Sequence, residues 1–139
     1  MLRQILRPLA RLPRHVENWS CPRRPLSLSV LRQDTFTIQD EDDFKAKVMD
    51  SSDPVIVDFS ATWCGPCKIL TPRLDAAIAA TEGKVHLAMV DIDELGDLAM
   101  DYNVQAVPTV LAVKGGKVVD KFIGVLDEDK LGAFVNQLK

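Results

Sequence analysis

The chain has 139 residues, of which 47% are hydrophobic and 27% charged, with a formal net charge of −3. This length favours one domain, and this hydrophobic content can supply a packed core, which excludes disorder along the whole chain. No apolar run reaches the roughly 18 residues that a membrane-spanning helix requires, and three cysteines are too few for a disulfide scaffold.

The charge is divided at about residue 33. Residues 1–33 carry seven arginines, no lysine and one acid, which gives this segment a net charge of +6. Residues 34–139 carry 10 basic and 19 acidic side chains, which gives a net charge of −9. Because an acidic domain repels phosphate groups, we expect neither a nucleic acid nor a membrane surface as its partner.

The first 33 residues have the pattern of a mitochondrial transit peptide. Arginines recur at helical spacing, leucines lie largely on the opposite side, and the continuous apolar run of a secretory signal is absent. Arg24, Leu26 and Ser29 resemble the two-step mitochondrial processing site, which would place the mature start at Asp34. A basic tail without a targeting role is the alternative.

Residues 34–139 are predicted to alternate strands and helices in the order β-α-β-α-β-α-β-β-α. The strands are predicted at 35–39, 55–59, 85–91, 109–113 and 118–123, and the helices at 41–48, 68–80, 95–102 and 131–138. Asp40 and Asp127 are predicted helix caps, and Gly115-Gly116 indicates a hairpin. Alternating strands and helices favour parallel pairing, so we expect an α/β fold with helices on both faces of a mixed sheet of about five strands.

Cys64 and Cys67 are the predicted reactive residues. They follow a buried strand and open a helix. The unpaired N–H groups and partial positive charge of the first helical turn favour a thiolate at Cys64, the reactive form in disulfide exchange. Cys67 lies one helical turn further on, within reach of a disulfide. A metal site needs more ligands than the pair with His86 and carboxylates offers, so no metal is predicted. Two inert buried cysteines are the other alternative.

Asp58 is the candidate base. It lies inside the apolar strand predicted at 55–59, where burial of a charged carboxylate is costly and raises its pKa towards neutrality. The alternative is an aspartate at the exposed end of a strand.

These residues resemble the thioredoxin family, specifically its mitochondrial type, over roughly residues 35–138. The motifs that carry the resemblance are Val57-Asp58-Phe59, Trp63-Cys64-Gly65-Pro66-Cys67-Lys68, Val107-Pro108-Thr109 and Gly124. The resemblance implies the thioredoxin fold and a redox-active disulfide between Cys64 and Cys67.

The resemblance also implies a role for each site residue. Cys64 would attack the substrate disulfide, Cys67 would resolve the mixed disulfide, and Asp58 would accept the proton of Cys67. Pro108 would be a cis-proline that faces the disulfide. The surface that docks substrate proteins would consist of Trp63, Gly65, Pro66, Val107, Ile123 and Gly124. For Trp63, an ordinary core aromatic is the alternative.

One position departs from the family pattern. Many thioredoxins carry a lysine opposite the buried aspartate, in the strand after the active-site helix, and here that position is predicted to hold Met89. Without that cation, the pKa of Asp58 is expected to lie higher still.

The function that the resemblance implies is reduction of protein disulfides in the mitochondrial matrix. Electrons would come from NADPH through thioredoxin reductase, peroxiredoxins would be among the clients, no cofactor would be bound, and we expect a monomer. A disulfide oxidase or isomerase is an alternative, although such enzymes usually carry a histidine where Pro66 stands. A non-catalytic binding module that uses the surface around Trp63 and Pro108 is the alternative from another class.

Overall fold

In the computed structural model, which describes residues 34–139, five strands form one mixed sheet. The strands are β1 (Thr35–Thr37), β2 (Val55–Ser60), β3 (His86–Asp91), β4 (Thr109–Lys114) and β5 (Lys117–Ile123). Across the sheet their order is β1-β3-β2-β4-β5, with β3 parallel to β1 and β2, and β4 antiparallel to β2 and β5. The predicted element order and mixed sheet are confirmed, whereas the predicted transit peptide lies outside the described residues.

The described residues include four helices, of which three connect strands and the last follows β5. They are α1 (Glu41–Phe44), α2 (Gly65–Ala79), α3 (Gly96–Asp101) and α4 (Glu128–Asn136), and α1 continues directly into a π-helical segment, Lys45–Met49. Asp40 and Asp127 cap α1 and α4 as predicted, since their carboxylates accept the N–H groups of Asp43 and Lys130. Within residues 34–139, no helix is both long and apolar enough to cross a membrane.

The bounds of α2 differ from the prediction. The helix begins at Gly65, three residues before the predicted start, because the side chain of Cys64 caps it and a proline suits the first turn. Pro72 lies inside the helix without ending it. The helix ends at Ala79, before Gly83, where the hydroxyl of Thr81 donates to the carbonyl of Ile78 at 2.7 Å.

The central strands β2, β3 and β4 are largely buried on both faces, which explains why they are almost continuously apolar, whereas the edge strand β5 is mostly exposed. On one face, Val57 and Phe59 of β2 pack with residues of α1 and α3. On the other face, Ile56 packs with residues of α2 and α4. Since side chains alternate along a strand, Asp58 shares the face of Ile56 and lies beneath α2. This placement brings its carboxyl to the helix that carries the cysteines.

Candidate active site

Cys64 and Cys67 are joined in a disulfide at the start of α2, with their Cα atoms 5.4 Å apart. Cys64 is the residue that caps the helix, and its sulfur accepts the backbone N–H of Cys67 at 3.2 Å. Cys67 lies within the first turn. In this oxidised state both residues are only 3% exposed, so exposure does not distinguish the two cysteines.

Position along the helix does distinguish them. After reduction, the N–H that now points at the sulfur of Cys64, together with the positive end of the helix dipole, stabilises a thiolate there. Cys67 lies inside the helix, on the face that also carries the buried Leu70 and Leu74. The arrangement therefore favours Cys64 as the nucleophile and Cys67 as the thiol that re-forms the disulfide with Cys64.

Apolar groups surround the disulfide. Ala61 forms a small buried cluster with the two cysteines, and Ile92 and Val107 pack against it. Val107 leads into Pro108, which is buried, and the peptide bond between them is cis, the isomer that the resemblance implies. Ile92, on the loop after β3, was not identified from the sequence because nothing local links it to residues 64–67.

The six residues of the implied docking surface lie at one end of the sheet, where β2 ends, β4 begins and β5 ends. Ile123 pairs with Thr109, and the N–H of Gly124 donates to the carbonyl of Pro108 at 2.9 Å. Trp63 and Ile123 are 66% and 59% exposed, and Gly65 and Pro66 are exposed as well. The alternative of a core aromatic at Trp63 is therefore wrong.

Trp63 has a partner that the sequence did not reveal. Its indole N–H donates to the carboxylate of Asp93, at 3.0 Å from the nearer oxygen. The backbone N–H of Asp93 in turn donates to the side chain of Asp91 at 2.9 Å, which fixes the loop after β3. Thirty residues separate Trp63 from Asp93, and no periodic pattern spans that distance.

Asp58 is completely buried, which excludes the alternative of an exposed strand end. Burial raises its pKa to about 6, while a hydrogen bond from Thr71 lowers it and the charge of Asp75 raises it. Across the sheet Asp58 pairs with Met89 of β3, at the position that the sequence predicted. The carboxyl therefore has an uncharged neighbour there, and a pKa in the range where a carboxylate can accept a proton near neutrality.

Thr71 is the third residue that the sequence analysis missed, after Ile92 and Asp93. Its hydroxyl donates to the Oδ2 atom of Asp58 at 2.9 Å. A signal was available, since Thr71 lies four residues after Cys67 and so on the same face of α2. A shallow cleft beside the disulfide is lined by Ser60, Ala61, Thr62, Cys67, Lys68, Thr71 and Pro72.

Metal ligands are not grouped in the part of the chain that the structure describes. Among residues 34–139, no three His, Cys, Asp or Glu side chains are arranged to hold a metal ion. The two cysteines are instead joined to each other in the disulfide.

Comparisons with known proteins agree with this geometry. The thioredoxin family model matches residues 35–137. A mitochondrial thioredoxin from Rattus norvegicus is 54% identical over 84% of this chain and 70% of its own length. The Bos taurus mitochondrial thioredoxin is 60% identical over 75% of this chain, and the match spans 63% of its length, less than two thirds.

Solved structures give the same result. A thioredoxin mutant from Halobacterium salinarum superposes with a TM-score of 0.70 at 32% identity, covering 76% of this chain and 92% of its own. A Malassezia sympodialis thioredoxin superposes with a TM-score of 0.67 at 35% identity, covering 73% of this chain and 88% of its own.

Proposed function

The chain belongs to the thioredoxin family, and from this premise we infer that it is a thiol–disulfide oxidoreductase that reduces disulfides in other proteins. The observation that carries this inference is the disulfide between Cys64 and Cys67 at the N-terminus of α2, with a backbone N–H aimed at the sulfur of Cys64. This arrangement activates the thiol of Cys64 and keeps the thiol of Cys67 close enough to form a disulfide with it.

The reaction proceeds in two exchanges. The thiolate of reduced Cys64 attacks one sulfur of the client disulfide, forms a mixed disulfide and releases the other client sulfur as a thiolate. Cys67 then loses its proton and attacks the sulfur of Cys64, which releases the client as a dithiol and leaves the Cys64–Cys67 disulfide. Two electrons pass to the client, and the chain is left oxidised, the state that the structure holds.

Asp58 accepts the proton of Cys67 in the second exchange. Its burial under α2 and its raised pKa of about 6 support this role, because a carboxylate with that pKa is ionised at neutral pH yet basic enough to take a proton. The docking surface holds the client backbone beside Cys64. The exposure of Trp63 and Ile123, and the open space left by the lack of a side chain at Gly65, support that part of the proposal.

Electrons reach the disulfide from thioredoxin reductase, which the family relationship supports as the reductant and which would draw them from NADPH. The clients are proteins that contain disulfides, and we include peroxiredoxins among them. Like other thioredoxins, the chain carries no bound cofactor. We propose that it acts as a monomer.

We place this chemistry in mitochondria, and within them in the matrix. The mitochondrial thioredoxins of rat and cow support the organelle, and the arginine-rich composition of residues 1–33 supports import and removal of that segment before Asp34. Mass spectrometry of the protein purified from mitochondria tests the removal. A mature chain that still contains Met1 would contradict it.

The redox potential of the Cys64/Cys67 couple tests the function directly. In a chain with Trp19→Phe and Cys21→Ser, Trp63 is the single tryptophan and its fluorescence reports the state of the neighbouring disulfide. We expect a potential near −270 mV, the approximate value known for thioredoxin itself. A potential above about −180 mV would favour an oxidase or isomerase, and the absence of a reversible couple would favour a binding module.

A further inference from the structure

The carboxyl group of Asp58 has one hydrogen-bond partner in the described part of the chain, the hydroxyl of Thr71. Its Oδ2 atom accepts that hydrogen bond at 2.9 Å, while its Oδ1 atom is buried without a partner. A buried carboxylate normally needs several hydrogen bonds to offset the loss of water. A single donor therefore has a large influence on where this carboxylate lies and on when it ionises.

The other neighbours of Asp58 do not stabilise its charge. Met89 on β3 and Val110 on β4 lie beside it in the sheet, and neither side chain is charged. From α2, the charge of Asp75 acts on it with the same sign and so opposes ionisation. Lys68 lines the cleft but is exposed on the outer side of α2. The hydroxyl of Thr71 is thus the favourable contact that the structure offers to the carboxylate form.

Thr71 also links Asp58 to the reacting cysteine. It lies one helical turn after Cys67, so both side chains project from the same face of α2. Both residues line the shallow cleft beside the disulfide. A hydroxyl at this position can hold the carboxyl under the turn that carries Cys67, which is where a base for that thiol is needed.

We propose that Thr71 is the positioning residue for the proton acceptor Asp58, and that its hydroxyl sets the pH at which the resolving exchange becomes fast. This inference rests on the proposed reductase function, because it assumes that Asp58 takes the proton of Cys67. Thr71 itself forms no bond to substrate and acts through the carboxylate. Removal of its hydroxyl leaves the two cysteines unchanged.

The first test follows the ionisation of Asp58 in the full-length oxidised chain. Carbon-13 NMR of labelled aspartate carboxyls, with the Asp58 signal assigned by Asp58→Asn, gives its titration midpoint in the wild type and in Thr71→Val. We expect the midpoint to rise by about one pH unit, since a hydrogen bond to a charged group contributes an energy of that size. Thr71→Ser keeps the hydroxyl and should restore the wild-type midpoint.

The matched control is Thr62→Val, which makes the same change at an exposed threonine of the same cleft. We expect it to leave the Asp58 midpoint unchanged. An unchanged Asp58 midpoint in Thr71→Val would overturn the proposal. A shifted midpoint in Thr71→Ser would overturn it as well, provided that this variant unfolds at the wild-type temperature and is therefore correctly folded.

The second test measures how fast each variant reduces a protein disulfide between pH 5 and pH 9. In Thr71→Val the rising limb of the rate should move up by about one pH unit, in step with the NMR midpoint. A shifted midpoint with an unchanged rate profile would overturn both the role of Asp58 as the base and that of Thr71. A wild-type chain that reduces no disulfide at any pH would instead overturn the reductase function, which the NMR result does not depend on.

Discussion

Trp63 donates its indole N–H to Asp93, with the nitrogen 3.0 Å and 3.3 Å from the two carboxylate oxygens. The bond joins the residue directly before Cys64 to the loop that follows β3. The tryptophan is nevertheless 66% exposed, so its ring is held by one polar contact rather than by a packed core. A side chain held in this way loses less conformational freedom when a client docks on it.

Asp93→Ala should therefore weaken client docking without changing the chemistry. We expect the KM for a protein disulfide to rise by about twofold to tenfold, since ordering one free side chain costs about 0.5–1.5 kcal/mol. The rate with a small-molecule disulfide should stay at the wild-type value. In a Trp19→Phe background, fluorescence anisotropy should also show a more mobile Trp63.

Glu94→Ala is the matched control, because it removes a carboxylate from the same exposed loop but not the one bonded to Trp63. It should leave both the KM and the anisotropy unchanged. An equal rise of the KM in the two variants would show that the negative charge of the loop, and not the bond to Trp63, supports docking.

Asp58 should make the stability of the protein depend on pH. Its pKa is about 6 in the folded chain and lies near 3.8 when the group is unperturbed. The folded state thus prefers the protonated form, so the contribution of Asp58 to stability is most favourable below pH 3.8, falls as the pH rises to about 6, and is constant above that. Asp58→Asn cannot ionise, and at pH 8 it should be more stable than the wild type by up to about 3 kcal/mol.

Urea unfolding at pH 4, 6 and 8 measures this effect. The advantage of Asp58→Asn should be large at pH 8 and small at pH 4. Asp101→Asn, which neutralises an exposed acid, should change the free energy of unfolding by no more than about 0.5 kcal/mol at each pH. An advantage of equal size at pH 4 and pH 8 would mean that ionisation of Asp58 is not its cause.

The fold was predictable because most of its signals are local. The apolar run around Val57, the caps Asp40 and Asp127, and the Gly115-Gly116 turn each lie within a few residues of the element they specify. The predicted range of α2 began only at Lys68, although the two cysteines were expected to open the helix. The structure agrees with the second expectation, since Cys64 caps the helix and Gly65 and Pro66 occupy its first two positions.

The site was predictable only in part, for the same reason. Cys64 and Cys67 are three residues apart, so one helical turn brings them together. Asp93 reaches Trp63 only after β2 and β3 have paired, and the contact depends on a loop without a periodic pattern. Thr71 could have been found from its spacing to Cys67, but its bond to Asp58 depends on how α2 packs on the sheet.

Gly116 should be the less replaceable of the two glycines in the hairpin between β4 and β5. Both have a positive φ, +58° at Gly115 and +70° at Gly116, so a side chain at either position is strained. At Gly116 an added Cβ would also lie 2.8 Å from the carbonyl oxygen of Met49, whereas at Gly115 it would meet open space.

We expect Gly115→Ala to cost about 1 kcal/mol and Gly116→Ala about 2–4 kcal/mol in the free energy of unfolding, measured in urea. The difference between the two variants isolates the contact with Met49 from the cost of the backbone conformation. Equal losses would show that the carbonyl of Met49 moves aside freely.

Cys67→Ser should trap clients on the protein. Without the resolving thiol, the mixed disulfide between Cys64 and a client cannot be broken from within, so it should accumulate and disappear only when an external thiol is added. Non-reducing electrophoresis of the full-length Cys21→Ser/Cys67→Ser chain, incubated with a disulfide-containing protein, detects the adduct.

Cys64→Ser in the same Cys21→Ser background is the matched control. It should form far less of the adduct, because Cys67 lies inside the helix, past the N–H groups that stabilise a thiolate at Cys64. Stronger trapping by Cys64→Ser than by Cys67→Ser would reverse the order of attack.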